Sequence, residues 1–324
     1  MEDFSMDFQI AKKHRMRVKL IFNPISGSTG KSCIQLMDVI KDMQAWKFIP
    51  EPFLIEPNCD LHGVVQDAIA QGIRLFVVCG GDGTVSSVAR AMIGTNATLG
   101  IIPTGTQNNV ALSLGIPTDI PTAISILRTG KKCKIDVGMC TCNNVNTPFI
   151  EVCSVGLFST LFSSADDIQH GNLTRIGDFL STLTATPPSE IHLVLENTRE
   201  IIEMGHVVFI SNMPYIVKHY QVGALDSHHD GLLDVLFFAD QSKLELMGYI
   251  LKGAGTNINE DPRIKHFRVS KVKIATQPAM PIMADGMTLG EGSVQIEVQR
   301  HALSVMVAST EQITSIESGE PNEK

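Results

Sequence analysis

The seven cysteines of this 324-residue chain include no Cys-x-x-Cys pair, and none clusters with histidine at metal-ligand spacing. Cys140-Thr-Cys142 is too close for typical zinc ligation, so the thiols read as reduced, as in a cytosolic protein. No window approaches the roughly 18 to 20 apolar residues of a membrane-spanning helix. The first stretch, MEDFSMDFQIAKKHRMR, has no signal-peptide core, and residues 1–16 read as a flexible leader. There is no excess of basic charge. A formal net charge of −8 excludes a nucleic-acid footprint and any strong whole-surface attraction to anionic membranes. No internal repeat is present, and residues 311–324 form a polar tail expected to be disordered.

What is present is enough for two ordinary domains: 44% hydrophobic residues, with turns marked by 26 glycines and 15 prolines. From Val18 to about Asp136, strands and helices alternate, which implies a parallel sheet with right-handed crossovers. The helix after the first strand has apolar positions at Ile34, Met37, Ile40 and Met43. A later helix over Ile120–Leu127 closes at Gly130. Beyond that the pattern changes. Phe149–Cys153, Ile191–Leu195, Gly205–Ile210, Leu232–Phe238, Val269–Ile274 and Gln295–Val298 read as strands of a largely antiparallel β domain. A helical insertion between about Ser159 and Leu183 interrupts it.

The most informative segment is Gly80-Gly81-Asp82-Gly83-Thr84. It joins the apolar strand Leu75–Cys79 to a helix whose apolar positions, Val85, Val88, Ala89, Met92 and Ile93, stop at Gly94. Such a strand-to-helix turn offers backbone N–H groups and a helix N-terminus to phosphate oxygens. Asp82 would repel a bare phosphate, so its place in the turn points to a Mg²⁺-nucleotide. An ordinary tight turn is the competing reading. Two further polar loops follow apolar strands: Asn23-Pro-Ile-Ser-Gly-Ser-Thr-Gly30 and Pro103-Thr-Gly-Thr-Gln-Asn-Asn109. In a parallel sheet all three meet at the edge where open α/β sheets bind ligands. Asn23, Thr106 and Asn108 are candidate hydrogen-bonding groups there, with local turn capping as the alternative.

These motifs resemble the diacylglycerol-kinase catalytic-domain family, which is shared by bacterial lipid kinases and related to the sphingosine kinases. Asn23-Pro24-x-Ser26-Gly27, Gly80–Thr84 and Pro103-x-Gly105-Thr106-x-Asn108 are similar to its N-terminal signature. Ser211-Asn212-Met-Pro214, Ser227–Asp234 and Asp285-Gly286 follow in the family's order, so the similarity runs from about Arg17 to about Val307. The resemblance implies a Rossmann-like nucleotide-binding domain over 17–137, completed by about 302–310. It further implies a β-rich lipid-binding domain over 138–301 and an active-site cleft between the two. The implied activity is transfer of the ATP γ-phosphate to the hydroxyl of diacylglycerol, a sphingoid base or a similar lipid, with Mg²⁺ as cofactor and a place in lipid metabolism. Gly80, Gly81, Gly83 and Thr84 would hold phosphates and Asp82 the Mg²⁺. By position, Ser227, Asp230 and Leu232 correspond to a structural Mg²⁺ site, with His229 in place of an acidic residue. An Asp-Gly turn is the alternative there.

Two departures bear on activity. The family's glutamate, assigned as the base that takes the lipid hydroxyl proton, corresponds here to Met287, and a thioether cannot do that work. Asp285 or Glu291 are the candidate substitutes. Ile55 stands where the family often has a nucleotide-contacting threonine. Three readings therefore stand: a lipid kinase, a catalytically weak nucleotide- or lipid-binding relative, and an NAD kinase, which shares a GGDGT turn. A lipid substrate implies a cytoplasmic protein with weak, peripheral membrane contact. The basic clusters Lys12–Arg17, Lys131–Lys134 and Lys265–Lys273 read mostly as solvated faces. Tyr215–Gln221 is expected to border the acceptor site. The sequence leaves a homodimer open.

Overall fold

The structure, a computed structural model, describes residues 14–26, 32–156, 187–216, 220–225, 227–239, 246 and 264–309. The expected helical insertion, the polar tail and most of the leader, with its Lys12 and Lys13, lie outside the described residues. The chain divides into two compact units, Met1–Ile135 with Ala302–Lys324, and Asp136–His301.

The first unit runs β1 (Met16–Phe22), α1 (Ser32–Ala45), β2 (Phe48–Leu54), α2 (Leu61–Ala70), β3 (Leu75–Gly80), α3 (Asp82–Met92), β4 (Thr98–Pro103), α4 (Asn109–Ser113) and α5 (Ile120–Thr129). Strand β1 pairs with β2 and β3, and β3 with β4, all in parallel, giving the order β4-β3-β1-β2. Every residue of β3 and β4 is buried. Their near-continuous apolar runs are what central parallel strands require. The core gathers Phe22, Phe48, Val77, Ile102 and Leu127 with Met43 of α1.

The inward face of α1 differs from expectation. Val39 and Met43 are buried and Leu36 and Ile40 pack on the core, whereas Met37 is 65% exposed. The stripe 36-39-40-43 has the i, i+3, i+4, i+7 spacing of a single helix face, and Met37 falls off that face. Helix α5 begins as its sequence suggests, with the Asp119 carboxylate accepting from Thr122 N (3.0 Å) and Pro121 in the first turn.

The chain continues through β5 (Lys131–Cys142), β6 (Val145–Phe149), β7 (Val152–Gly156), β8 (Ser189–Leu195), β9 (Arg199–Ser211), β10 (Tyr215–Ile216) and β11 (Tyr220–Gln221). After a 3-10 turn at Ser227–His229 come β12 (Leu233–Ala239), β13 (Ile264–Val269), β14 (Lys271–Gln277), β15 (Pro281–Ala284), β16 (Met287–Glu291) and β17 (Val294–Val307). Strands β5 and β17 each carry residues of both units. In the second unit β9 lies between β7 and β8, and the pairings around it are antiparallel. At the far end of β17, Ser304 and Val305 pair in parallel with Thr98 and Leu99 of β4.

Two expected strands break in the structure. Phe149–Cys153 divides at Ile150-Glu151, where backbone N–H groups turn to the Asp285 carboxylate instead of a neighbouring strand. Val269–Ile274 divides at Ser270, whose N–H (3.1 Å) and hydroxyl (3.2 Å) both bond to Glu196. Conversely, Gln295–Val298, read as a strand of the β domain, runs on without a break into the segment from about 302 expected to complete the first domain, as the single strand β17. Periodicity reports apolar alternation. It does not report where a distant carboxylate captures the backbone. Among the described residues no helix is long and apolar enough to cross a membrane.

Candidate active site

The three polar loops follow β1, β3 and β4, which are neighbours in the first sheet and run in the same direction. Their C-terminal ends therefore bring the loops to one edge. The middle loop starts α3 with Gly81 as N-cap, and no side chain caps this helix. Among the described residues the Gly83 N–H of its first turn is thus left for another acceptor. Thr84 N bonds back to Gly81 O at 3.0 Å.

Glycine is needed here for close approach. A Cβ on Gly105 would lie 2.4 Å from Gly81 Cα and 2.9 Å from the Asn108 side-chain oxygen, so the second and third loops touch backbone to backbone. A Cβ on Gly83, in contrast, would meet nothing within 4 Å. That residue faces open space at the positive end of the helix dipole.

The candidate residues separate by what they touch. Asn23 Nδ2 donates to Thr84 Oγ1 at 2.8 Å, while its Oδ1 accepts from Ile25 N at 3.0 Å. Asn23 thus ties the first loop to the first turn of α3. With Thr84 Oγ1 accepting, its own O–H is directed to donate elsewhere. Asn108, left-handed at φ 55° and buried, accepts from Gly105 N and donates to Gly105 O, both at 2.9 Å. It shapes the third loop, and Thr106 stands exposed at its tip. Ser26 and Thr104 hydroxyls share a 3.0 Å hydrogen bond between the first and third loops. The Asp82 carboxylate accepts from Val110 N at 3.0 Å, which anchors α4. Ile55 N bonds to Phe22 O at 2.9 Å, placing Ile55 beside the first loop. Beneath the loops, burial pushes the Cys79 thiol up to about 12, offset only in part by its contact with Thr104.

In the second unit, Asp285 and Gly286 form the two-residue turn between β15 and β16, with φ of 42° and 79°. Positive φ at both positions is what a tight hairpin of this length demands. The Asp285 carboxylate accepts three backbone N–H groups, from Ile150 (2.7 Å), Glu151 (3.0 Å) and Val152 (3.1 Å). It is an anchor for the break between β6 and β7. Met287 opens β16 opposite Ala284 and is half-buried. Glu291 pairs opposite Pro281 at the other end of the hairpin. Four residue steps of strand place it about 13 Å from Met287.

The same break engages Asn212, whose Nδ2 donates to Asp136 O (2.9 Å) and Ile150 O (3.0 Å). The Asn212 side-chain oxygen is buried without a hydrogen-bond partner among the described residues. Asp136, fully buried, was missed as a functional position in the sequence. Its carboxylate accepts from Gly231 N (2.6 Å) and His301 N (2.7 Å), fixing the Ser227–Asp234 loop to β17. An isolated aspartate in an apolar run gave no signal of this work. Tyr215 begins a two-residue ladder with Tyr220 and Gln221, and residues 217–219 lie outside the described set.

At the Ser227–Leu232 loop one group suits Mg²⁺ and one does not. The Ser227 hydroxyl is buried with no hydrogen-bond partner among the described residues, which suits an oxygen ligand. Asp230 does not suit one. Its Oδ1 accepts from Leu232 N at 2.9 Å and its Oδ2 is ion-paired with Arg268. The group present at the carboxylate is already a cation, and the residues as they stand do not fit the metal. Two other basic residues of 265–273 are likewise engaged: Lys265 pairs with Glu203, and Lys271 lies 3.2 Å from Glu297.

Comparison with known proteins assigns both halves of the chain. Residues 17–140 match the diacylglycerol kinase catalytic domain, and residues 163–307 match the YegS C-terminal NAD kinase beta sandwich-like domain. A diacylglycerol kinase of Mycobacterium tuberculosis is 31% identical over 238 residues, covering 70% of this chain and 74% of the relative. A diacylglycerol kinase of Bacillus subtilis is 24% identical over 83% of this chain and 89% of its own length. The crystal structure of a diacylglycerol kinase from Bacillus anthracis superposes with a TM-score of 0.71 at 21% identity, over 90% of this chain and 96% of that one, which shows a shared fold. The chain therefore belongs to the bacterial, YegS-like lipid-kinase branch of the diacylglycerol kinase family.

Proposed function

We propose that this protein is an ATP- and Mg²⁺-dependent lipid kinase that transfers the γ-phosphate to the hydroxyl of a lipid such as diacylglycerol or a sphingoid base. The observation that carries the reading is the open, uncapped start of α3, with Gly83 facing free space and two further loops beside it. Phosphoryl transfer asks the protein mainly to hold the nucleotide and align the acceptor. In this reading the first unit works as a Rossmann-like nucleotide site. Backbone N–H groups at Gly81–Gly83, the Thr84 hydroxyl and Thr106 bind phosphate or ribose oxygens, while Asn23 and Asn108 hold the loops that present them. Asp82 supplies the hard oxygen for Mg²⁺, which when bound neutralises phosphate charge. Asp285 acts by positioning the hairpin that carries Met287. We place the protein in the cytoplasm with weak, peripheral contact to membrane lipid.

Met287 favours a second reading, a catalytically weak member that binds nucleotide or lipid. An NAD kinase is the third, opposed by the Pro103–Asn109 and Ser227–Asp234 segments, which are similar to the lipid branch. The test offers γ-labelled Mg-ATP and three acceptors in parallel: diacylglycerol in micelles, a sphingoid base in micelles, and NAD. Label in a chromatographed lipid product supports the proposal. Label in NAD alone refutes it, and nucleotide binding without transfer to any acceptor supports the weak-member reading.

A further inference from the structure

We propose that the Arg268 guanidinium replaces the structural metal ion at the Ser227–Asp234 loop, so that this chain carries a built-in cation where the family pattern implies Mg²⁺. The arrangement follows from strand register. Asp234 on β12 is paired directly with Arg268 on β13, and Leu236 with His266. Side chains two apart on a strand share a face. Arg268 and His266 therefore both reach the Asp234 carboxylate, at 3.6 Å and 2.7 Å. The same guanidinium is ion-paired with Asp230 Oδ2. One side chain thus spans both carboxylates of the loop, and at Asp230 it occupies the position where the family pattern expects the metal.

Three carboxylates meet the loop: Asp230, the nearly fully buried Asp234, and the fully buried Asp136, which accepts from Gly231 N. Against them stand Arg268 and Arg300, whose guanidinium packs on Gly231 so closely that a Cβ there would lie 2.6 Å from Nε. His229, exposed, stands where the family has a further acid and contributes no negative charge. Both Asp230 oxygens are already engaged, by Leu232 N and by Arg268, so a divalent cation would have to displace a resident cation to reach that carboxylate. Mg²⁺ needs anionic oxygen ligands and dehydrates reluctantly, so it does not compete. A planar, permanently charged guanidinium bridges two carboxylates well.

The inference rests on family membership and not on the chain being an active kinase, because its test uses no nucleotide and no lipid. The full-length chain is titrated with MgCl₂ by calorimetry and melted in EDTA or in MgCl₂, beside Asp82→Asn, Ser227→Ala, Arg268→Lys and Arg268→Ala. Expected are no heat that depends on Ser227, and equal melting temperatures for the native chain in EDTA and MgCl₂. Arg268→Lys should keep that indifference. Arg268→Ala should melt several degrees lower in EDTA and recover in MgCl₂, and adding His229→Asp should strengthen the recovery. Heat lost in Asp82→Asn belongs to the first unit and leaves the expected result standing. Heat lost in Ser227→Ala would overturn the proposal, as would a native chain that melts lower in EDTA than in MgCl₂. The native titration decides the matter even where Arg268→Ala does not fold.

Discussion

Substituting Gly83 by alanine separates stability from nucleotide binding. Gly83 is the second residue of α3, and a Cβ built there meets nothing within 4 Å. The added methyl is sterically free in the protein and restricts the unfolded chain, so it should stabilise by roughly 0.5 to 1 kcal/mol. At about 2 to 4 °C per kcal/mol, that is a rise of roughly 1 to 4 °C in melting temperature. In the proposed nucleotide site the same methyl would occupy the face from which phosphate oxygens would approach the first turn. Loss of one charge-assisted hydrogen bond, about 1.5 to 3 kcal/mol, weakens nucleotide binding by roughly ten- to hundredfold. Gly105→Ala is the contrast, because its Cβ would sit 2.4 Å from Gly81 Cα. It should lower both stability and binding, with an overpacking penalty of roughly 1 to 3 kcal/mol. Thermal melts and calorimetric titration with Mg-ATP measure both quantities. A Gly83→Ala protein that binds nucleotide as the native one does would refute the phosphate-cradle reasoning.

Asp285→Ala orphans three backbone N–H groups and should destabilise by about 3 to 5 kcal/mol in urea unfolding, even with some rehydration. Native stability with lost activity would instead favour a proton-transfer role. Met287→Glu should raise phosphoryl transfer about a hundredfold or more, within the usual range for a general base; an unchanged rate would separate this position from proton transfer. Cys79 keeps its proton to a pH near 12, against a usual value of 9.0, because it is buried. It should resist thiol reagents at pH 8 while the half-buried Cys59 and Cys133 react, as read by mass mapping. Because the unfolded thiol ionises first, the Cys79 contribution to stability should fall as pH rises above 9, and Cys79→Ala should flatten that fall.

Much of the first unit was legible because its signals are local. An apolar run, a glycine-rich turn and a helical stripe lie side by side in sequence at Leu75–Met92, and the helix read over Ile120–Leu127 closes at Gly130 as α5 does. The glycines of the loops could be read as allowing close approach, though not that Gly81 and Gly105 approach each other. What stayed hidden depends on contacts between distant residues. The break at Ile150-Glu151 is made by a carboxylate 134 or 135 positions away in sequence. Asp136 fastens the loop at Gly231 across 95 positions. The pairing of Asp230 with Arg268 follows from the β12–β13 register, which periodicity alone does not fix.

The most direct test of the lipid-kinase reading compares the native protein with Asp82→Asn in transfer of labelled γ-phosphate to lipid. Asparagine keeps an oxygen to accept from Val110 N, so α4 stays anchored while the charge for Mg²⁺ is lost. The account predicts label in a lipid product with the native protein and a loss of a hundredfold or more, on the order of 3 kcal/mol, in a variant that melts at the native temperature. Equal transfer by both proteins would contradict it.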